Sequence, residues 1–466
     1  MSKDRTYSSS HIICASYFPT LLSKLSSAIT GLRALCFFPI LLTSYSVTCQ
    51  TWYPLGTGMG ISNTDVIALD TFNYKLYAGG IFNTAGGITA NNIAVWDGSN
   101  WSSLGSGISG TLHPQVLSIC HYNGKLYVGG GFNDAGGISV NYIAAWDGAN
   151  WSSVGSGVNA GVYAMAVYQG ELYVGGNFSS ASGIPANNIA KWNGSTWSSI
   201  GSGTNNPVNA LTVCNGFLYV GGSFSIAGGN TTKGLAKWDG SNWSPVGASI
   251  SGKFYALACA DTIVYAAGLL AVSDGVGKWD GHQWLQLSPG SITASGLRTL
   301  LAYNSDLYLG GSYSIGSSPP IYNLARWDGN NWNAVAGQVN NQVNSLAIYN
   351  SSLCVGGNFS MIANTQVNSI ARWDGISSIF EQRLNNVFAI YPNPNNGIFH
   401  ITQENAENRT TQIYVYDLVG KIVYKTSMTI NSIVEDLDLT PQPKGLYFVR
   451  STNSKGESTV QKLVIE

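Results

Sequence analysis

The sequence predicts an all-β chain: a seven-bladed β-propeller closed by its N-terminal strand, followed by a small Ig-like β-sandwich. Three observations predict this. One unit recurs seven times between residues 52 and 375. Each copy holds four short strand signals, and a four-strand repeat of roughly 40–50 residues is the mark of a propeller blade. The chain carries 56 glycines in 466 residues, which suits many tight turns and argues against a helical protein.

The repeat is counted on two motifs. "LYAGG" at 76–80 returns as "LYVGG" (126, 172 and 218), "VYAAG" (264), "LYLGG" (307) and "LCVGG" (353). The spacings are 50, 46, 46, 46, 43 and 46 residues. Trp-Asp/Asn-Gly also occurs seven times, at Trp96, Trp146, Trp192, Trp238, Trp279, Trp327 and Trp373, and all 14 tryptophans fall in this pattern. Within a unit, the strands resemble "VYAMAVY" (162–168), "ELYVGG" (171–176), "NIAKW" (188–192) and "WSSIG" (197–201). These are β-branched and aromatic runs bounded by Gly, Asn and Asp.

The string "WDGSNW" (96–101) places two tryptophans across a hairpin. If Asp97 and Asn100 pair around a Gly98-Ser99 loop, Trp96 and Trp101 stand opposite each other. Glycine first in the loop suits a type II′ turn. Opposed rings stabilise a ladder, and each hides ~150–250 Å², worth roughly 4–6 kcal/mol as an upper bound. Packing is therefore the expected role, rather than an exposed platform for sugars. The last copy, "WDGISSIF", lacks its second tryptophan, whereas Trp52 begins "WYPLGTG" with no strands before it. Residues 52–56 should pair with 370–374 and remove an exposed sheet edge.

Charge marks a boundary. Residues 52–375 hold 13 Asp/Glu and 10 Lys/Arg in 324 positions, whereas 387–466 hold 8 and 7 in 80. The expected division is 1–49 export signal with a long leading region, 50–375 propeller, 376–386 linker and 387–466 C-terminal domain. A net charge of −1 offers no field for nucleic acid or an anionic membrane. Lys24 and Arg33, then "ALCFFPILL" (34–42), then small polar residues meet the requirements of a cleavable signal ending between Ser46 and Gln50. That run is too short to span a bilayer, and no other stretch is apolar enough. Cys14, Cys36 and Cys49 lie in this segment. Cys120, Cys214, Cys259 and Cys354 sit at different offsets in their repeats, so buried, unpaired thiols are expected. No CxxC or Cys/His cluster points to a metal, and no cofactor motif is present.

The units resemble kelch-type propeller repeats, in which a double glycine follows an apolar strand and an aromatic residue and a Trp flank a short turn. Trp96 stands where kelch usually has Tyr. Propellers host many activities, so function must come from a face. The short Asn-Gly and Asp-Gly turns lie on one. The longer connections, such as "FNTAGGITANN" (82–92) and "YSIGSSPPIYN" (313–323), share the other, which is the expected binding face. Asn92, Asn141, Asn188 and Asn323 recur near the exits of these connections and are the candidate ligand contacts, with backbone capping as the alternative role. The double glycines read as turn or packing positions, since no Lys-Ser/Thr follows and no helix begins for a phosphate cradle. Only His113, His121 and His282 lie in the repeats. The turn aspartates, Asp97 and its equivalents, look like turn formers. No catalytic constellation is visible, so the expectation is a non-enzyme.

Residues 387–466 carry period-2 strands between turns, as in a small β-sandwich. They resemble the type A C-terminal sorting domain of type IX secretion. The matching residues are Tyr391, Pro392, Asn393, Pro394 and Gly397; Asp417, Gly420 and Lys421; Gly445 and Tyr447; and Lys462 in the closing "KLVI". The resemblance implies export through the type IX machinery at the outer membrane, followed by release or attachment to surface lipopolysaccharide. The expected function is a secreted or cell-surface binding or adhesion module for a glycan or protein. The alternatives are a secreted carbohydrate-active hydrolase or lyase working at the propeller channel, and a structural surface-layer protein.

Overall fold

A computed structural model describes residues 51–466 apart from 61–63, 111–112, 248–250, 271–274, 288–291, 317, 377–387, 392–394, 404–409, 418–420, 430–434, 453–457 and 466. The expected signal, linker, Cys14, Cys36 and Cys49, and motif residues Pro392, Asn393, Pro394 and Gly420 lie outside the described residues. What is described is all-β, built of small antiparallel sheets.

Seven four-stranded sheets follow one another along the repeats. In the first, Asp65–Phe72, Lys75–Ile81, Ile93–Trp96 and Trp101–Ser103 pair in chain order. Five more repeat that order, from Gln115–Tyr122 through to Trp332–Ala334. The seventh joins Val343–Tyr349, Ser352–Gly357 and Ile370–Trp373 to the strand Trp52–Pro54 from the other end of the chain. Its register is Trp52↔Trp373, Tyr53↔Arg372 and Pro54↔Ala371, as the incomplete last motif requires.

The paired tryptophans are packing residues. Trp96 lies opposite Trp101, with ring centroids 5.4 Å apart. Twelve of the fourteen indoles are buried, and Trp146 and Trp284 are half-buried. The second indole of a pair also ties its sheet to the one before. Trp101 Nε1 donates to the Leu55 carbonyl (2.8 Å), Trp151 to Leu104 (2.8 Å), Trp197 to Val154 (2.9 Å) and Trp243 to Ile200 (3.0 Å). Trp52 plays the same part for the seventh sheet, donating to Ala336 O at 3.2 Å. These indoles spend both their area and their polar hydrogen between sheets, whereas Nε1 of Trp96, Trp192, Trp238, Trp332 and Trp373 is buried without a hydrogen-bond partner among the described residues.

The double glycine has a steric explanation. A Cβ on Gly79 would overlap Val116 of the next sheet, and the same holds for Gly129 against Val162 and Gly175 against Val208. Gly356 of the seventh sheet meets Val66 of the first, where a Cβ would stand 2.5 Å from Cγ1. Seventh and first sheets therefore abut as the others do, and Tyr349 Oη donates to Tyr74 O across that seam (3.1 Å), as Tyr122 does to Gly170 (3.0 Å). Gly356→Ala should cost about 1–3 kcal/mol by overpacking, read as a lower urea midpoint with unchanged slope.

Two features differ from expectation. The long connections are not open loops. In five units they fold into two-residue hairpins, such as Thr84–Ala85 with Ile88–Thr89. Each also pairs with the connection leaving the preceding sheet, as in Met59↔Ala85. Secondly, the four thiols are not all unpaired, because Cys214 and Cys259 form a disulfide with Cα atoms 5.6 Å apart. The offset argument failed because adjacent first strands pack side by side without a shared hydrogen-bond register, so a one-residue stagger brings the sulfurs together. Cys120 and Cys354 are free.

The C-terminal segment forms a three-stranded sheet (Phe388–Tyr391, Ile398–Gln403, Glu435–Asp438) and a four-stranded one. The latter runs Ile422–Thr429, Thr410–Tyr416, Gly445–Thr452, Ser458–Ile465. Phe399 and Leu437 of the first share a core with Ile413, Tyr447, Val449 and Leu463 of the second.

Candidate functional site

All seven first strands carry a β-bulge at the same position. The register slips at Val66/Ala68, Val116/Ser118, Val162/Ala164, Val208/Ala210, Phe254/Ala256, Leu297/Thr299 and Val343/Ser345. The unpaired residues are Ile67, Leu117, Tyr163, Asn209, Tyr255, Arg298 and Asn344. The second glycine of each pair permits this. A Cβ on Gly80, Gly176 or Gly357 would overlap the carbonyl oxygen of Asp65, Gly161 or Gln342, two residues before the bulge. A bulge re-aims a side chain away from the ladder, and six of the seven are half-buried while Arg298 is exposed.

Contacts between sheets join these positions. Gln342 donates to Asn344 Oδ1 at 2.5 Å, and Asn344 Nδ2 in turn donates to Asp65 Oδ1 of the first sheet. Asn209 Nδ2 donates to Phe254 O of the next sheet (3.1 Å). Burial raises the Asp65 carboxyl to about 6, opposed by the Asn344 bond and by the Arg298 charge. Burial also raises the Tyr163 phenol above its ordinary value. Asp65 lines a cleft of about 440 Å³ between seventh and first sheets, together with Thr64, Asn341, Asn358, Ser360 and Ser369. Thr64 and Ser369 hydroxyls bond to each other across it (3.0 Å).

Asp65 has a readable pH signature. The folded state holds this proton more tightly than the unfolded state, whose carboxyl keeps its ordinary value of 3.8. Its contribution to stability therefore rises as pH falls through 6, and is complete below 3.8. Asp65→Asn should stabilise the protein at pH 7 by about 1–3 kcal/mol and flatten the urea midpoint between pH 6 and 4.

The predicted asparagines sit elsewhere at this end of the sheets. Asn92, Asn188 and Asn323 have φ of 62°, 64° and 63°, and their amides donate to Ile108 O (2.9 Å), Thr204 O (2.7 Å) and Val339 O (2.9 Å). Asn141 occupies the preceding repeat position, where its amide bonds Ser156 O as Asn91 bonds Ser106 O (both 2.9 Å). Its neighbour Tyr142 holds the left-handed position, with φ of 62°. The four side chains thus belong to two sets, both engaged with backbone.

The turn aspartates cap their hairpins. Asp97 Oδ1 accepts from Ser99 N and Asn100 N, both 2.7 Å, and these bonds hold its pKa below the ordinary value. Sequence reasoning missed one titratable pair. His121 Nδ1 lies 2.7 Å from Asp70 Oδ2 of the previous sheet, with its ring stacked 4.0 Å from Phe72. The adjacent Cys120 is no thiolate nucleophile for it, since burial pushes that thiol up to about 12. Among the described residues no three His, Cys, Asp or Glu side chains gather to hold a metal, and no helix is long and apolar enough to cross a membrane.

In the C-terminal domain, Tyr391 ends a strand. Gly397 turns with φ of 103° beside Thr440 and bonds Asn395 Oδ1 through its amide (2.8 Å). Asp417 Oδ1 accepts from Lys421 N (2.9 Å). Gly445 opens a strand on which Tyr447 is buried, with its hydroxyl on Pro443 O (2.5 Å). Lys462 pairs with Phe448 in the adjoining strand.

No curated protein matches this chain. Among solved structures, it is similar to the extracellular domain of a protein described as a hybrid two component system from B. thetaiotaomicron. That match has 11% identity and a TM-score of 0.46, covering 90% of this chain and 59% of the other. A computationally designed protein, Ika4, matches at 13% identity and a TM-score of 0.26, covering 39% of this chain and 94% of its own. The chain thus spans little more than half the length of the first of these. Residues 389–466 match the family described as the secretion system C-terminal sorting domain. That domain engages the secretion machinery, so this protein is exported across the outer membrane, to the cell surface or beyond it.

Proposed function

We propose that residues 50–375 are a kelch-like, seven-bladed β-propeller closed by its N-terminal strand, serving as a secreted or surface-displayed binding and adhesion module. The observation that carries the reading is the bulge repeated in seven first strands. In a closed propeller, bulges at this shared position would bring Tyr163, Asn209, Tyr255, Arg298 and Asn344, with Ile67 and Leu117, to one end of the ring. Aromatic rings, amides and one guanidinium on a rigid frame suit recognition, since binding residues are best placed by elements that do not move. The abutment of Gly356 and Val66 supports closure. The expected domain limits of 376–386 for the linker and 387–466 for the sorting domain go with this reading.

The test is a glycan and protein-ligand array with the exported chain, alongside a Tyr255→Ala, Arg298→Ala variant. Saturable binding without turnover is the expected result; loss in the variant marks a ligand held at the bulge residues, and retention marks one held elsewhere on the module. Turnover of a bound saccharide would instead make the protein an enzyme.

A further inference from the structure

The cleft between seventh and first sheets lies where a repeated side-chain pattern changes. Every unit holds a left-handed residue at the same repeat position, just before its third strand or, in the sixth unit, within it. In three units it is Asn92, Asn188 or Asn323, whose amide reaches the connection leaving the same sheet. In the second unit it is Tyr142, packed in a cluster with Val162 of the next sheet. In two units it is glycine, and there the next sheet supplies a larger side chain in place of the usual valine. The Phe254 ring comes within 3.0 Å of where a Gly234 Cβ would be, and Leu297 crowds Gly275. The seventh unit alone combines a short side chain, Ser369 (φ 68°), with valine, Val66, opposite. Ser369 is buried, and its hydroxyl bonds that of Thr64 rather than making the amide bond to the connection carbonyl that Asn92 makes to Ile108 O.

The resulting space is mostly polar, with Ile81 and Phe359 as its apolar walls. Amides of Asn341 and Asn358, hydroxyls of Thr64, Ser360 and Ser369, and the Asp65 carboxyl face it, with no Lys or Arg among its lining. Its volume of about 440 Å³ falls inside the range of small-molecule sites, roughly 300–1,000 Å³. An anion would meet a carboxylate and no cation. An apolar ligand would leave desolvated amides unpaired, at a cost of about 1–3 kcal/mol each. Adjacent hydroxyls, each both donor and acceptor, match amides and a carboxyl.

We propose that this cleft binds a neutral sugar residue, and that Ser369 is the specificity-determining position that opens it. The proposal rests on the binding-module reading and names the site and ligand class within it. Its key variant is Ser369→Asn. Asparagine tolerates the left-handed backbone better than serine, and its amide would reach Met59 O as Asn92 reaches Ile108 O, so the fold should keep or raise its Tm. The exported chain is titrated calorimetrically with neutral gluco-, manno-, galacto- and xylo-oligosaccharides, with the uronate oligosaccharides as an anionic arm. The wild-type protein should bind at least one neutral probe, and Ser369→Asn should weaken it at least tenfold. The proposal is overturned if no neutral probe binds, if uronates bind better, or if Ser369→Asn binds as well as wild type. In the last case, loss of binding in Tyr255→Ala, Arg298→Ala would leave the module reading standing and move the ligand to the bulge residues.

Discussion

Deleting residues 50–58 should loosen the repeat domain markedly, and Trp52→Ala alone should cost about 3–5 kcal/mol, the range for removing a buried large side chain. Trp52 is 5% exposed, stacks on Trp373 with centroids 6.1 Å apart, and donates to Ala336 O. Three residues beyond it, Leu55 is buried and accepts the Trp101 indole hydrogen. One short segment thus completes the seventh sheet and holds the first. The deletion also exposes the edge of Ile370–Trp373 to other chains. The measurement is a urea melt followed by tryptophan fluorescence, with light scattering beside it. An unchanged midpoint in the truncated form would contradict the pairing of Trp52–Pro54 with the last unit.

Reducing the disulfide, or replacing both residues in Cys214→Ser, Cys259→Ser, should lower stability by about 4 kcal/mol. This follows from the loop-closure entropy of a bridge spanning 45 residues. The bond lies between the fourth and fifth sheets, where the Trp284 indole bond to Val246 O is the longest of its series apart from that of Trp52 (3.1 Å). An exported protein meets oxidising surroundings in which such a bond persists. Thermal melts with and without dithiothreitol should differ for wild type and coincide for the double variant. Equal melts for the wild type would mean that the bridge adds nothing.

Much of the fold was legible because its rules are local. The Trp96–Trp101 hairpin follows from an Asp-Gly turn and strand alternation. The pairing of Trp52 with Trp373 follows from counting an incomplete motif at each end. The C-terminal motifs were legible for the same reason, being short and ordered. What escaped was set by contacts between sheets. The disulfide depends on how two first strands lie beside each other, which repeat offsets do not encode. The bulges, within a sheet, depend on how the second-strand glycine meets a carbonyl of the neighbouring first strand, which the sequence pattern does not display. Asn141 was grouped with Asn92 because both precede the third strand, yet they differ by one position, and one position changes which backbone carbonyl the amide meets. Ser369 had a signal in the sequence: it breaks an Asn/Gly/Tyr column. Its meaning appears only beside Val66, Phe254 and Leu297, because a hole is a property of two facing residues.

The strand Trp52–Pro54 meets a partner 321 positions later (373 − 52). Neighbouring strands elsewhere in the repeats are joined by tight turns or by the hairpin-bearing connections within one unit. Bringing such distant ends together costs about 2.5 kcal/mol more entropy than closing a loop of about 20 residues. Contacts of such high sequence separation form slowly. Trp52–Pro54 should therefore be the last strand of the repeats to dock, with six sheets complete in local pairings before the seventh is assembled from the two ends of the repeat region.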